Sequence, residues 1–337
     1  MIDFRSLPKI ELHCHLDASV RVATVAELGR KLGLPLPEPI EPALVAPECC
    51  TELADYLRRI DLALEVMQHR DHLTRIAREL VEDFAADGVI YGEIRFAPQL
   101  HTREGLRIEE VLDAVHQGIV QGTRATKIRA GLIVCCLRHQ DPDTSLAIAR
   151  LAAANPDKVC ALDLAGDEAR FPGMPHRAAF ELARAAGLRR TVHAGEAAGA
   201  ESILEALQVL AAERIGHGAR IEQSTHAIEE VRRREIALEM CPLSNYQTRA
   251  IAALAEHPID RLLRRGLRVT VSTDARTVSA TTVTSEFERL ERLFGWGLDE
   301  FRRCQRNAAE AAFVAPAVRN QLLYELEPAA AKTPANG

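Results

Sequence analysis

The clearest architectural signal in this chain reads VIYGEIRF at Val89–Phe96 and IRAGLIVCCL at Ile128–Leu137. Both runs are rich in β-branched and aliphatic side chains, which is typical of buried strands. Between them, Ile108–Thr123 carries apolar residues at spacings of three and four, which indicates an amphipathic helix. A strand, a helix and a second strand in this order predict two parallel strands joined by a helical crossover.

The same alternation continues in both directions along the chain. We predict six further strands, at Ile10–His15, Val159–Leu164, Thr191–His193, Arg214–Gly216, Ile236–Cys241 and Val269–Ser272. Helical patterns separate the later ones, at Thr144–Ala154, His176–Ala186, Glu201–Ala212, His226–Arg234, Ile259–Arg264 and Thr282–Leu293. Eight such units predict an α/β fold of the closed (β/α)8, TIM-barrel type. An open doubly wound sheet is the alternative, but no GxGxxG follows the first strand to favour its dinucleotide-binding version.

One long excursion interrupts the repeat after the first predicted strand. Residues 35–47 are proline-rich (PLPEPIEPALVAP) and predict a loop, and helices are expected at about 51–69 and 72–86. Segments that follow the strands of a barrel surround its active site. We therefore predict that residues 35–86 form a helical, lid-like insertion.

The composition is that of an ordinary globular protein. Hydrophobic residues make up 47% of the 337 residues and charged residues 27%. This suits one barrel domain over 1–328, with extra helices near its C-terminal end and a disordered tail over 329–337. A net charge of -6 argues against a general nucleic-acid binder, and no apolar run is long enough to cross a bilayer. We expect a small-molecule substrate, while the oligomeric state stays open.

The cysteines indicate a reducing environment. The eight cysteines include two adjacent pairs, Cys49–Cys50 and Cys135–Cys136, and neighbouring cysteines rarely form a disulfide without strain. The sequence has no CxxC pair, and its first residues, MIDFRSLP, lack the apolar segment of a secretory signal. We therefore predict a cytoplasmic protein.

The residues that carry chemistry begin at His13 and His15. Alternate residues on a strand point to the same side, so two imidazoles at the end of the first predicted strand can reach one ion. That end carries the active site in barrel enzymes. Alone, the HxH pattern is more often two incidental histidines in a polar loop.

Later strand ends supply further donors. His193 ends the fifth predicted strand, His217 ends the sixth, and Asp274 follows the eighth. Imidazole nitrogens with one carboxylate oxygen suit zinc. If one coordination position is left for water, such a site is catalytic rather than structural.

Six blocks of sequence contain these residues. They are LPKIELHCHLD (7–17), DLAGDE (163–168), TVHAGE (191–196), RIGHG (214–218), CPLSNYQT (241–248) and STD (272–274). In this order and spacing, over about residues 7–325, they resemble the adenosine deaminase family of the amidohydrolase superfamily. TVHAGE with RIGHG downstream is a specific signal. The resemblance implies the same barrel that the alternation of strands and helices predicts.

The resemblance also implies roles for individual residues. It makes His13, His15, His193 and Asp274 the ligands of one zinc ion per chain. Glu196 matches the residue that protonates the purine ring. His217 matches the histidine that orients or deprotonates the catalytic water, and Asp274 shares this chemistry. A second metal is not expected, because Val159–Glu168 holds no lysine and Lys158 lies at the wrong end of its strand.

The resemblance further implies contacts to the substrate. Asp17 matches a carboxylate that meets the ribose, and Gly166 matches a backbone contact to the base. We place Asp163 and Ala275 in the same group.

Each role has a simpler alternative when its residue is taken alone. Glu196 could cap a helix near Gly199–Leu210. Asp163 and Asp167 could be turn formers at a strand end, and His217 could be a hydrogen-bonded structural histidine.

Other polar residues fit no catalytic position. Glu93 and Arg95 share one face of the second predicted strand, and we expect a buried or rim ion pair.

Two positions depart from the family pattern. Ala18 stands where family members often have glycine. Ala275 stands where they have aspartate or asparagine, whose side chain contacts purine N7. Alanine cannot form that hydrogen bond, and Arg276 is a candidate substitute.

Three functions therefore remain open. The first is zinc-dependent deamination of adenosine or 2′-deoxyadenosine. The second is deamination of another 6-aminopurine, such as adenine or a modified adenosine. The third is nucleoside binding by a scaffold that has lost its activity, which intact Glu196 and His217 disfavour.

Overall fold

Eight parallel strands follow one another in sequence order around a ring in the computed structural model, which describes residues 2–327. The last strand returns to the first through a parallel bridge between Cys14 and Asp274. Two backbone hydrogen bonds make this closure, from His15 N to Asp274 O (2.7 Å) and from Asp274 N to His13 O (2.8 Å). The predicted (β/α)8 barrel is therefore confirmed, and the open-sheet alternative is wrong.

The strand bounds agree with the predicted ones to within two residues. The strands are β1 (Lys9–His15), β2 (Val89–Phe96), β3 (Arg129–Leu137), β4 (Ala161–Ala165), β5 (Arg189–Ala194), β6 (Arg214–His217), β7 (Ala237–Met240) and β8 (Arg268–Val271). Nearly all their residues are buried, because side chains fill the ring on one face and helices cover the other.

Helices follow most strands, and most of them pack on the outside of the ring. The first group is α1 (Val22–Leu32), α2 (Glu41–Leu44), α3 (Leu53–Leu57), α4 (Asp61–Val66), α5 (Arg70–Ala86), α6 (Ile108–Thr126) and α7 (Pro142–Ala153). The second group is α8 (Arg177–Ala185), α9 (Ala200–Gln208), α10 (Thr225–Arg233), α11 (Pro242–Gln247), α12 (Ile259–Arg264), α13 (Val283–Phe294), α14 (Leu298–Ala311) and α15 (Pro316–Leu326). The last two are extra helices at the C-terminal end.

The segment after β1 is more broken than its sequence pattern suggests. The helix predicted over 51–69 is divided into α3 and α4, because the backbone tightens into a 3-10 turn at Arg58–Ile60. The predicted loop over 35–47 contains the short α2, with a proline in its first turn. The tail predicted over 329–337 lies outside the described residues. Within those residues, we find no helix with the length and apolar character needed to cross a membrane.

Candidate active site

The C-terminal ends of three strands bring the four predicted metal ligands together. His13 and His15 lie on β1, His193 lies on β5, and Asp274 follows β8. One ligand atom from each of the four lies within 4.8 Å of all the others. This is the only such group of histidine, cysteine and acidic side chains among the described residues. The spatial grouping matches the set predicted from the sequence.

Hydrogen bonds on the far side of two rings decide where their lone pairs point. Nδ1 of His13 lies 2.9 Å from Oε2 of Glu239, and Nδ1 of His193 lies 3.2 Å from Oδ1 of Asp163. A carboxylate accepts, so each neutral ring carries its proton on Nδ1. Each Nε2 is then unprotonated, and its lone pair points into the space between the four ligand atoms, as metal-binding histidines require.

Several hydrogen-bond acceptors lie close together between the four ligand residues, and this arrangement favours a bound cation. Nε2 of His13 is buried, has no hydrogen-bond partner and lies 3.3 Å from Oδ1 of Asp274. Nε2 of His15 lies 3.1 Å from Nε2 of His193. Burial lowers the pKa of His13 to about 4 and that of His15 well below its usual value. Neutral imidazoles beside a carboxylate are what a divalent metal binds.

A buried network of ion pairs holds Glu239 and Asp163, the two carboxylates that accept from the histidine rings. Glu239 accepts from Nη2 of Arg95 (2.7 Å) and Nε of Arg214 (2.6 Å). Arg95 also donates to Asp163 (3.0 Å), whereas Glu93 pairs with Arg214 (2.5 Å). Glu93 and Arg95 therefore do not pair with each other. Each is buried and ion-paired, but with a partner from another strand.

Asp163 does not reach the cavity, where we predicted a substrate contact. Its side chain is completely buried, and its oxygens accept from Arg95 and from His193. It therefore acts on the ring orientation of His193. Asp167, the other possible turn former, lines the mouth of the cavity and pairs with Arg170 (2.5 Å).

Glu196 sits on a turn that another carboxylate holds in place. Glu168 accepts hydrogen bonds from four consecutive backbone nitrogens, those of residues 195–198, at 2.6–3.1 Å. Ser202 also donates to it. Glu196 does not cap α9, whose N-cap is Gly199 without a side-chain contact. Glu168 ends the DLAGDE block, but no role in holding this turn was predicted for it from the sequence.

The Glu196 side chain points into the same space as the metal ligands. Its Oε2 lies 3.6 Å from Nε2 of His217, and both side chains are almost fully buried. Burial raises the pKa of Glu196 above its usual value, which favours the protonated acid. A buried carboxylic acid beside a histidine is suited to proton donation.

Two site residues adopt backbone conformations that L-residues avoid. His217 has a φ of 64° and Asp274 a φ of 62°, both in the left-handed region. Residues held in such regions cost about 1–3 kcal/mol each and often lie at functional sites. Ser244 on α11 fixes the Asp274 side chain by donating to its Oδ2 at 2.5 Å.

A cavity of about 490 Å³ opens above this centre. That volume is typical of a small-molecule site. The predicted site residues that line it are His15, Asp17, Gly166, His193, Glu196, His217, Asp274 and Ala275. Residues from α3 and the turn after it, including Tyr56, form part of its wall. Gly166 has a φ of 96°, so no residue with a Cβ would hold the same backbone without strain.

The wall beside Asp274 is apolar. Ala18 and Ala275 pack with Tyr56 and Val278 in a small buried cluster. Arg276 does not replace the missing polar group, because its guanidinium turns away to Asp87 (3.3 Å) and lies over the ring of Phe84. The side chains at positions 275 and 276 therefore place no charge on this part of the cavity surface.

Known proteins resemble this chain over almost its whole length. A family model described as adenosine deaminase matches residues 8–329. The adenosine deaminase of Clostridium botulinum is 40% identical over 327 residues, which cover 95% of this chain and 97% of that protein. The solved structure of an adenine deaminase from Arthrobacter aurescens superimposes with a TM-score of 0.88 at 29% identity, covering 95% of this chain and 98% of that one. An amidohydrolase from Burkholderia ambifaria, solved with bound zinc, has a TM-score of 0.87 at 27% identity, covering 94% and 89%.

Proposed function

This chain belongs to the adenosine deaminase family, and from that premise we propose that it hydrolyses adenosine and 2′-deoxyadenosine to the corresponding inosine and ammonia. One observation carries the proposal. The four-ligand cluster, Glu196 and His217 share one cavity at the C-terminal end of the barrel. This combines a metal site with an acid, as hydrolytic removal of an amino group from a purine needs.

The proposed metal is a single zinc ion. His13, His15, His193 and Asp274 supply three nitrogens and one oxygen, which is a donor set that zinc accepts. When bound, zinc lowers the pKa of a water molecule to about 7 and makes hydroxide available at neutral pH. The zinc-containing relative supports this choice of metal.

The side chains of this chain then move the protons. Glu196 in its acid form donates to ring nitrogen N1 while the water oxygen bonds to C6. Asp274, with His217 beside it, takes the proton that the water loses and passes it to the amino group. The C6–N bond breaks, ammonia leaves, and the C6 hydroxyl returns its proton to Glu196. The sum is one purine and one water converted to one hydroxypurine and one ammonia.

Two cavity residues are the proposed substrate contacts. The carboxylate of Asp17 is set to meet a ribose hydroxyl, and the backbone of Gly166 is set to meet the base; both line the cavity. Asp163 acts through His193 and has no direct contact in this proposal.

Residues 35–86 are the proposed cover of the cavity. Tyr56 on α3 lies in the cavity wall, and its hydroxyl is 2.6 Å from Oγ of Ser279 in the loop after β8. This hydrogen bond joins the insertion to the loop that follows the metal ligand Asp274.

The cysteine pattern supports the further proposal of a cytoplasmic location.

Ammonia release tests the proposed function. Zinc-loaded protein is incubated in parallel with adenosine, 2′-deoxyadenosine, adenine and N6-methyladenosine. For the last compound the released amine is methylamine, which is measured in place of ammonia. We expect adenosine and its deoxy form to have the highest kcat/KM. Protein with one zinc per chain that binds adenosine but releases neither ammonia nor methylamine from any of the four would instead support a scaffold without activity.

The apolar wall favours one alternative within the same chemistry. Ala275 removes a polar contact, and Ala18 adds a methyl group to the same buried cluster, so adenine or a modified adenosine is the alternative substrate. Adenine as the best substrate in the same panel would replace adenosine in the proposal and leave the reaction unchanged.

Ala275→Asn is expected to create a preference for an intact purine N7. The wild-type wall has no side-chain donor at position 275, whereas asparagine restores one. A neutral hydrogen bond contributes about 0.5–1.5 kcal/mol, so the preference for adenosine over 7-deazaadenosine should rise about 2- to 13-fold. The measurement is kcat/KM for both compounds with both proteins, which cancels the intrinsic reactivity of the analogue. An unchanged preference would show that another group already meets N7.

A further inference from the structure

A chain of hydrogen bonds runs from the start of α12 to the cavity, and its direction can be read from one end. The backbone nitrogen of Ile259 lies 3.1 Å from Nδ1 of His257. Ile259 is the first residue of α12, where the amide has no partner within the helix. An amide N–H only donates, so Nδ1 of His257 is the acceptor.

His257 must then carry its proton on the other nitrogen. Its side chain is fully buried, and this burial lowers its pKa to about 3, so the ring is neutral. A neutral imidazole with a lone pair on Nδ1 is protonated on Nε2. Nε2 lies 3.1 Å from Oδ1 of Asn245. Because this nitrogen donates, the oxygen of the amide has to face His257, which leaves the NH2 group facing the opposite way.

The amide of Asn245 passes this direction on to the active site. Its Nδ2 lies 2.9 Å from Nδ1 of His217, and an amide NH2 only donates. Nδ1 of His217 is therefore the acceptor, and the neutral ring carries its proton on Nε2. That nitrogen is the one nearest Oε2 of Glu196, inside the cavity.

We propose that Asn245 and His257 are positioning residues that hold His217 as its Nε2–H tautomer. In this state His217 donates a hydrogen bond to the oxygen that adds to C6 and does not accept the proton of the water. Proton acceptance then falls to Asp274. The inference rests on the proposed deaminase function, because only that function brings an attacking oxygen to this point.

A purely structural role would also explain why these three buried polar groups are hydrogen-bonded. The test therefore has to reverse the donor and acceptor roles along this series of hydrogen bonds without removing any of the bonds. Asn245→Asp does this. A carboxylate accepts from His257 as before but also accepts from Nδ1 of His217, which moves the proton of His217 from Nε2 to Nδ1. Size and number of hydrogen bonds stay the same, while the donor at the cavity is lost.

Nitrogen-15 NMR of histidine-labelled, zinc-loaded protein reads the tautomer directly. The His217 signal is identified by its loss in His217→Gln. We expect wild-type His217 to show a protonated Nε2 and an unprotonated Nδ1, and Asn245→Asp to show the reverse. A wild-type ring protonated on Nδ1, or on both nitrogens, overturns the inference, and this result does not depend on Asn245→Asp folding.

Kinetics supply the second measurement. Loss of one donor to a developing charge lowers kcat by about 10²–10³-fold, and we expect this for Asn245→Asp with a KM within about threefold of wild type. His257→Gln, whose amide can still donate to Asn245, should recover most of the activity that His257→Phe loses. An Asn245→Asp protein with a reversed tautomer but unchanged kcat would show that His217 does not act as a donor.

A matched control separates the effect of direction from the cost of a buried carboxylate. Asn307 on α14 is also buried and donates from Nδ2 to the carbonyl of Val269 (2.9 Å), away from the cavity. We expect Asn307→Asp to lower thermal stability and leave kcat unchanged. The tautomer needs no substrate to be measured, so a failure of adenosine as substrate and a failure of this inference are distinguishable.

Discussion

Glu196→Gln is expected to lower kcat by about 10²–10⁴-fold, the usual contribution of a positioned acid or base, while zinc stays near one ion per chain. Glutamine has nearly the same shape but no acidic proton to give to N1. Glu196 is not among the clustered ligand atoms, so metal binding should survive the change. Steady-state rates of ammonia release, with metal content measured on the same samples, check both parts. Zinc loss in parallel with activity would mean that the residue supports the metal instead.

The dependence of activity on pH tests the acid role of Glu196 independently. Burial raises the pKa of Glu196, so the acid form persists to higher pH than for an exposed glutamate. Activity that needs this proton is present below that pKa and falls as pH rises through it. Wild type should show this alkaline decline, and the residual activity of Glu196→Gln should not.

Removal of the metal is expected to abolish turnover and to lower the temperature of unfolding. The four proposed ligands come from β1, β5 and the end of β8, so a bound ion would join strands from across the barrel. A ligand that binds only the folded state stabilises it by about 2.7 kcal/mol at 100 times its Kd. Calorimetry before and after dialysis against a chelator measures the shift.

Adding zinc back should restore both activity and stability, which separates metal loss from irreversible damage. His15→Ala serves as the matched variant, because it removes one ligand without touching Glu239 or Asp163. Full activity in protein shown to contain no metal would exclude the proposed chemistry.

The barrel was predictable because its strands are buried on both faces. Parallel strands under helices appear in the sequence as short apolar runs, and β2 and the short α12 agree with their predicted bounds to the residue. Elements outside the strand–helix repeat were harder to predict from the sequence. Helix α1 was missed, and α9 ends at Gln208 rather than Ala212 because Ala211 turns the chain with a φ of 52°.

The clustering of the proposed metal ligands was predictable for a related reason. Residues at the ends of parallel strands meet at one edge whatever their distance in sequence, so His193 and Asp274 could be grouped with His13 without knowing any contact. Hydrogen-bond partners do not follow from this rule. The hold of Glu168 on the turn at 195–198 and the direction of Arg276 depend on side-chain orientations that the order of strands leaves open.

The left-handed backbone at His217 and Asp274 limits how this protein can be engineered. Two such residues reduce stability by about 2–6 kcal/mol, against a net stability of about 5–15 kcal/mol for a typical domain. Glycine would relieve the strain at either position, yet it supplies neither the imidazole nor the carboxylate. Directed evolution for heat resistance alone would therefore drift toward inactive barrels, and a useful thermostable library needs an activity screen in every round.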